Sequence, residues 1–169
     1  NDACIAIAEG ISGSEALFAE ELNLLAKEIG MIDSSFTNST GWPDPDHLTT
    51  IQDLLRLTVR TIEDFPDLYH YYAEKEFTYS GIKQLNRNPL LFNEINADGL
   101  KTGHTSLGGY GLVASVLKNN RRLILILNGL KKNKDRSDES ERLIKVGFNQ
   151  YKVVDLFSKN QTIVNLQVW

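Results

Sequence analysis

The sequence predicts an α+β fold, helices packed on an antiparallel sheet, and three observations carry that expectation. Apolar residues recur at helical spacing between Leu17 and Ile62. Two apolar runs joined by a short polar link lie between Gly109 and Gly129, the clearest β signal in the chain. A last helical stretch follows from about Ser137 to Tyr151. Helices, then a hairpin, then a covering helix is the order expected of a sheet with helices on it. The chain has 169 residues, 41% of them hydrophobic, which suffices for one core.

Charge and cysteine content narrow the classes further. With 18 Lys and Arg against 22 Asp and Glu, the net charge of −4 argues against a globally basic nucleic-acid binder. Cys4, the one cysteine, rules out a cysteine-rich metal site and an intrachain disulfide. No apolar run reaches the roughly 20 residues of a bilayer span. No stretch has a signal-peptide pattern, and there is neither an internal repeat nor a low-complexity tract.

Taken in order, the elements read as follows. Ala3 to Ala8 is short, small and apolar, which suits a fully buried helix broken by Gly10. A second helix opens at Ser12-Gly13-Ser14-Glu15, where Ser12 and Glu15 have capping-box spacing. It presents Leu17, Phe18, Leu22, Leu25, Ala26 and Ile29, and stops at Gly30. The turn-rich segment Thr37 to Asp46 is a loop. A third helix runs from about Thr50, with Asp53 at capping distance, to Pro66, and a short helical turn spans Leu68 to Ala73. Phe77-Thr78-Tyr79 is a strand, whereas Gly81, Asn86, Asn88 and Pro89 mark a loop. Gly111–Leu117 and Arg122–Leu127 form a hairpin across Lys118-Asn119-Asn120-Arg121. The second of these strands is apolar on both faces and so is expected to be central or covered by helices.

Both ends suggest a piece of a longer protein. There is no initiator Met before Asn1, and Val164, Leu166 and Val168 alternate with Asn165 and Gln167 in a strand pattern without a following turn. The expected organisation is therefore one domain over residues 1–153, with 154–169 as the first strand or strands of a C-terminal β domain.

The residues that point to chemistry lie in Asp98-Gly99-Leu100-Lys101-Thr102-Gly103-His104-Thr105. Lys-Thr-Gly is one of three motif elements of serine penicillin-interacting enzymes. On a strand, Lys101 and Gly103 face one way and Thr102 the other. The Lys101 ammonium raises the potential where an anionic substrate end and a developing oxyanion sit, and the Thr102 hydroxyl can donate to a carboxylate. Without a side chain at Gly103, a substrate can lie against the backbone as an added strand. The tripeptide by itself is weak, and a strand start with a solvated lysine is the bland alternative.

Its flanks are far more specific. Gln84-Leu85-Asn86-Arg87-Asn88, the extended Asp98–Thr105 string, and Gly109-Tyr110-Gly111-Leu112-Val113-Ala114-Ser115 closely resemble the D-alanyl-D-alanine carboxypeptidases among the low-molecular-mass penicillin-binding proteins. So do Asn1-Asp2-Ala3-Cys4-Ile5-Ala6 and Thr40-Gly41, so the resemblance spans nearly the whole chain. It implies part of a serine β-lactamase/transpeptidase-like fold. It also implies Asn1 as the last member of the family's Ser-Xaa-Asn motif and Lys101 as a second catalytic residue. Thr102, Gly103, His104 and Arg136 would bind substrate: His104 through its backbone N–H at the oxyanion hole, and Arg136 through a bidentate hold on the terminal carboxylate. The alternative for Arg136 is a solvated charge after the basic run Lys131-Lys132-Asn133-Lys134. Thr40 stands where relatives can carry a histidine, and no role is assigned to it. No metal and no cofactor are implied.

The resemblance further implies a serine-type D-Ala-D-Ala carboxypeptidase of the bacterial cell envelope, extracytoplasmic and membrane-associated when complete. Its partners would be peptidoglycan stem peptides, β-lactams and an N-terminal part of the same protein, with no nucleic acid. One departure matters. The family's Ser-Xaa-Xaa-Lys, which holds the nucleophile, has two mimics here, Ser80-Gly81-Ile82-Lys83 and Ser115-Val116-Leu117-Lys118. The motif needs serine and lysine on one helical face, but Ser80 falls in a turn and Ser115 on a strand. Ser158-Lys159-Asn160 mimics the second motif but follows the third in chain order. All three are rejected, so this chain alone is expected to be inactive. The rival from another class is a non-catalytic module that binds wall peptides with the same fold. A class A β-lactamase shares Lys-Thr-Gly, but its flanks match poorly. His47, His70 and His104 lack ligand spacing, and Tyr69, Tyr71 and Tyr72 read as a packed aromatic face.

Overall fold

A computed structural model describes residues 2–166. It is α+β, as the periodicity predicts. Four helices precede the strands: α1 (Asp2–Ser12), α2 (Glu15–Glu28), α3 (Ile51–Asp64) and the short α4 (Pro66–Tyr69), which runs into a 3₁₀ turn (His70–Ala73). Strands β1 (Glu76–Tyr79) and β2 (Ile82–Leu85) form a small hairpin. Then β3 (Ala97–Thr105), β4 (Gly109–Lys118) and β5 (Arg121–Leu130) form an antiparallel sheet, and α5 (Asn133–Gln150) closes it.

The helix boundaries correct several expectations. α1 is not broken at Gly10 but continues to Ser12, and the left-handed Gly13 (φ +81°) ends it. Nor is it fully buried: only Ala8 is, because α2 is the main helix packed on it among the described residues. The N-cap of α2 is Ser14 rather than Ser12, since Ser14 is the extended residue after the turn and its Oγ accepts from the Leu17 N–H. Glu15 turns away and accepts from the Ser39 amide (3.0 Å) and hydroxyl (2.7 Å), which fixes the following loop to this helix. Leu17 and Leu25, expected to be inward, are about half exposed, and Ala19 and Ala26 are the buried positions. Gly30 (φ +86°) does stop α2, with the Met31 N–H bonded to the Ala26 carbonyl. Thr50 caps α3 through the Asp53 N–H as its spacing predicts.

Two strand expectations change as well. Ile82–Leu85 forms a strand where loop was expected. Ser80 and Gly81 both have positive φ, the signature of a type I′ turn, and a Ser-Gly pair announces that turn less clearly than Asn-Gly. Similarly Asn119 (φ +52°) and Asn120 (φ +59°) make the β4–β5 link a two-residue turn. Of the two situations expected for β5, central or covered by helices, the structure shows the second, since the order β3-β4-β5 makes β4 the central strand. β5 reads apolar on both faces because α5 packs against it and α3 also reaches it. α5 begins four residues before the expected Ser137. Residues Ile163–Leu166 form no strand, and Gln167, Val168 and Trp169 of the expected terminal strand lie outside the described residues.

The core lies between sheet and α5. Leu90, Leu112, Ala114, Val116 and Ile144 are buried together, with Leu123, Leu125 and Phe148 packed around them. Full burial of each large member contributes about 1.5–3 kcal/mol, so this cluster holds β4 and, through its ladder, β3 in place.

Candidate functional site

The Lys-Thr-Gly segment lies on β3 in register with β4: Lys101 opposite Val113, Thr102 opposite Leu112, Gly103 opposite Gly111 and His104 opposite Tyr110. β3 is first in the sheet order, so its other edge has no strand partner among the described residues. The pleat alternates as expected. Lys101 and Gly103 are exposed and Thr102 is 9% exposed, sharing the Leu112 side of the sheet. A Cβ added at Gly103 would meet nothing within 4 Å. Between this strand and α3 runs a mainly apolar groove of about 590 Å³, walled by Leu54, Leu57 and Thr61 on the helix.

Local anchors set the strand's position. Asn88, fully buried, donates through Nδ2 to the Gly99 carbonyl at 2.8 Å, while its Oδ1 accepts from the Leu90 N–H. The ladder shifts register between Ala97 and Gly99, and Asp98 at this bulge pairs with Arg122 from β5 at 2.7 Å. Arg122 crosses the central strand to do so and also donates to Ser115 on β4. Tyr69 completes the cluster, donating to Asp98 at 3.2 Å with the Arg122 guanidinium over its ring. Burial pushes its phenol up to about 12, so it remains a donor throughout the physiological range. Of the packed aromatic face expected of Tyr69, Tyr71 and Tyr72, only Tyr69 is buried, because the 3₁₀ turn leaves Tyr71 and Tyr72 exposed.

Lys101 donates from Nζ to the carbonyl of Thr102 at 2.7 Å. Although the residue is exposed at the strand edge, its ammonium is held below the ordinary lysine range, first by the partial desolvation of its tip and then by the charges of Arg87 and Arg136, with Cys4 acting against them. Three cations thus act on one another at this strand.

Arg136 is 6% exposed, which excludes the solvated-charge reading. Its Nη2 donates to Asn133 Oδ1 at 2.7 Å and more weakly to the Arg87 carbonyl at 3.4 Å, and its guanidinium lies 5.7 Å from the Tyr110 ring centroid. Its buried Nε has no hydrogen-bond partner, and no carboxylate pairs with it among the described residues. Burial lowers its affinity for a proton, Tyr110 opposes that, and Arg87 adds to it. An unpaired guanidinium with an idle donor is costly to bury and is offset when an anion arrives. The His104 ring stacks on Tyr110 at 4.0 Å between centroids, joining Lys101, His104, Tyr110 and Arg136 into one neighbourhood.

Asn1, expected to be catalytic, lies outside the described residues. Sequence reasoning gave no role to Arg87, Tyr110 or Asn133. The Gln84–Asn88 string marked the first of these, but nothing in the spacing announces that Asn133 and Tyr110 would meet Arg136. The rejected mimics stay rejected. Ser115 is fully buried in β4 on Arg122, and Ser80 is in the β1–β2 turn. No Ser-Xaa-Xaa-Lys lies on a helix among the described residues. No group of three or more metal-ligating side chains occurs among them either.

A helix-covered antiparallel sheet with Lys-Thr-Gly on an open-edged strand and a buried arginine beside it defines the penicillin-binding, transpeptidase-like class. Solved structures agree. Penicillin-binding protein 5 from Haemophilus influenzae superposes with a TM-score of 0.84 at 43% identity, over 88% of this chain and 44% of that one. Penicillin-binding protein D2 from Listeria monocytogenes, in its ampicillin-bound form, gives 0.81 at 29% identity, over 88% and 62%. Residues 1–131 match the model of the D-alanyl-D-alanine carboxypeptidase (Peptidase S11) family, and the chain belongs to that family. It is 39% identical to the carboxypeptidase DacA of Haemophilus influenzae and to DacC of Escherichia coli, over 100% of this chain in both comparisons. It spans 44% and 42% of their respective lengths.

Proposed function

We propose that this chain supplies the substrate wall of a serine-type D-Ala-D-Ala carboxypeptidase acting on peptidoglycan stem peptides in the bacterial cell envelope. The observation that carries this reading is Arg136: a buried guanidinium without an acidic partner, next to the Lys101-Thr102-Gly103 edge. The peptide adds along β3, with its carboxylate toward Lys101, Thr102 and Arg136 and the penultimate carbonyl at the His104 amide. A serine from a Ser-Xaa-Xaa-Lys segment outside this chain attacks that carbonyl, the terminal D-Ala leaves, and water hydrolyses the ester. Lys101 and the His104 N–H stabilise the negative charge that develops on the carbonyl oxygen, and Asn1, as the end of a Ser-Xaa-Asn motif, stands with them. β-Lactams acylate the same serine. No helix among the described residues is long and apolar enough to cross a membrane.

The second reading, a non-catalytic wall-peptide module, is favoured by one observation: no helix described here carries the sequence Ser-Xaa-Xaa-Lys. The deciding experiment joins this chain to the segment encoded upstream and measures turnover of a D-Ala-D-Ala peptide together with acylation by penicillin. Turnover with acylation supports the enzyme. Saturable peptide binding with neither supports the module.

A further inference from the structure

The bulge in β3 lies just before the Lys-Thr-Gly segment, and side chains from outside the strand converge on it. Pairing with β4 is out of step between Ala97 and Gly99, then runs without interruption from Gly99 to Thr105. A bulge is where a strand can slip. A slip of one residue would turn Lys101 and Gly103 to the Leu112 side of the sheet and Thr102 outward. The far edge of β3 offers no resistance, since no strand pairs with it among the described residues.

A side-chain clamp supplies the restraint instead. Arg122 Nη1 donates to both oxygens of Asp98, at 2.9 and 2.7 Å, and to Ser115 Oγ on the central strand. Tyr69, the last residue of α4, donates to Asp98 Oδ1 at 3.2 Å, and its hydroxyl lies so close to Gly99 that a Cβ there would stand 2.6 Å from it. Asn88, which caps the 3₁₀ turn Pro89–Leu91, holds the Gly99 carbonyl at 2.8 Å. Two consecutive residues of the bulge are thus tied to α4, to β4 and β5, and to that turn. Asp98 is the hub, because its Oδ1 accepts from both Tyr69 and Arg122.

We infer that Asp98, with Tyr69 as its second anchor, is a positioning residue of the reaction: it fixes the register of β3 at the bulge and so sets Lys101 and the His104 N–H against the reacting carbonyl. Neither side chain touches substrate. The inference rests on the carboxypeptidase reading and adds to it a determinant outside the motif. Misplaced reacting groups cost rate steeply, whereas the carboxylate hold at Arg136 comes from α5, so the loss falls on acylation and not on binding.

The test measures penicillin acylation of the complete enzyme by rapid mixing, which separates the initial dissociation constant from the acylation rate constant. Asp98→Asn should still take up one penicilloyl group per molecule, with the rate constant down about ten- to a hundredfold and the dissociation constant changed less than about twofold. Tyr69→Phe, which keeps the ring and the Asp98–Arg122 pair, should slow acylation about three- to tenfold. The double variant should lose less than the product of the two single losses, since both act through one carboxylate. Asp53→Asn, which weakens the fold through α3, should acylate at the unmodified rate. Unchanged rate constants in the folded variants, a loss confined to binding, or an equal loss in Asp53→Asn would overturn the assignment. Should Asp98→Asn not fold, Tyr69→Phe decides it alone. An unmodified enzyme that penicillin does not acylate overturns the carboxypeptidase reading, and this inference with it.

Discussion

Gly103→Ala separates the fold of this site from its function, because the structure assigns Gly103 no packing role. A Cβ at position 103 meets no atom within 4 Å, and the backbone there is not in the left-handed region. Alanine in a strand is less costly in conformational entropy than glycine, so the substitution should leave stability unchanged or raise it by up to about 1 kcal/mol. A substrate added along β3 has no such freedom. The new methyl projects into the cleft and displaces the peptide by about 1 Å, enough to reduce acylation on the order of 100-fold. Gly109→Ala is the contrasting variant: with φ +68° and the Leu130 carbonyl 2.7 Å from its Cβ, it should lose about 1–3 kcal/mol of stability. Urea unfolding gives the stabilities, and the second-order rate of penicillin acylation in the complete enzyme gives the function. Gly103→Ala acylating at the wild-type rate, or unfolding like Gly109→Ala, would refute the added-strand geometry.

Three further outcomes follow from the same structure. Arg136→Ala removes the partly idle guanidinium and should lower peptide turnover more than penicillin acylation, by about 1.5–3 kcal/mol, whereas Lys101→Ala should impair both; parallel kinetics on the two substrates check this. Because partial desolvation of its tip and the charges of Arg87 and Arg136 hold Lys101 below the usual lysine range, acylation that needs its charge should fall on the alkaline side earlier than an ordinary lysine would allow. Arg87→Gln should move that limb to higher pH, as a pH–rate profile shows. Burial alone would raise the Asp53 carboxyl, but the Ser34 hydroxyl, the Asp33 amide and Arg56 outweigh it and hold it below the usual value. Its stabilisation is therefore complete above the ordinary carboxylate pKa and is lost as pH falls through the lower folded value. Unfolding midpoints taken between about pH 2 and 5 should decline less steeply for Asp53→Asn than for the unmodified chain.

Much of this fold was legible because local signals and tertiary structure agree. Thr50 caps α3, Gly30 ends α2, and the β4–β5 hairpin stands out in hydrophobicity alone. The misreadings have physical causes. Periodicity identifies an apolar face without saying what covers it: Leu17 and Leu25 belong to the apolar stripe of α2 yet are about half exposed among the described residues. The apolarity of β5 leaves open whether it is central or covered by helices; it is covered, and strand order depends on pairings that no local pattern encodes. At the site, Lys101, Thr102 and Gly103 are contiguous and visible as a motif. Arg136 meets Asn133 on its own helix and Tyr110 on β4, and that pairing exists only once α5 has folded back over the sheet.

The most direct test of the central claim is intact-mass spectrometry after incubation with benzylpenicillin, on this 169-residue chain and on the same chain joined to its Ser-Xaa-Xaa-Lys segment. The isolated chain should keep its mass, and the joined protein should gain one penicilloyl group on the serine of that segment. A stoichiometric adduct on the isolated chain, mapping to Ser80 or Ser115, or no adduct on the joined protein, would contradict the assignment of this chain as the wall of the site and not its nucleophile.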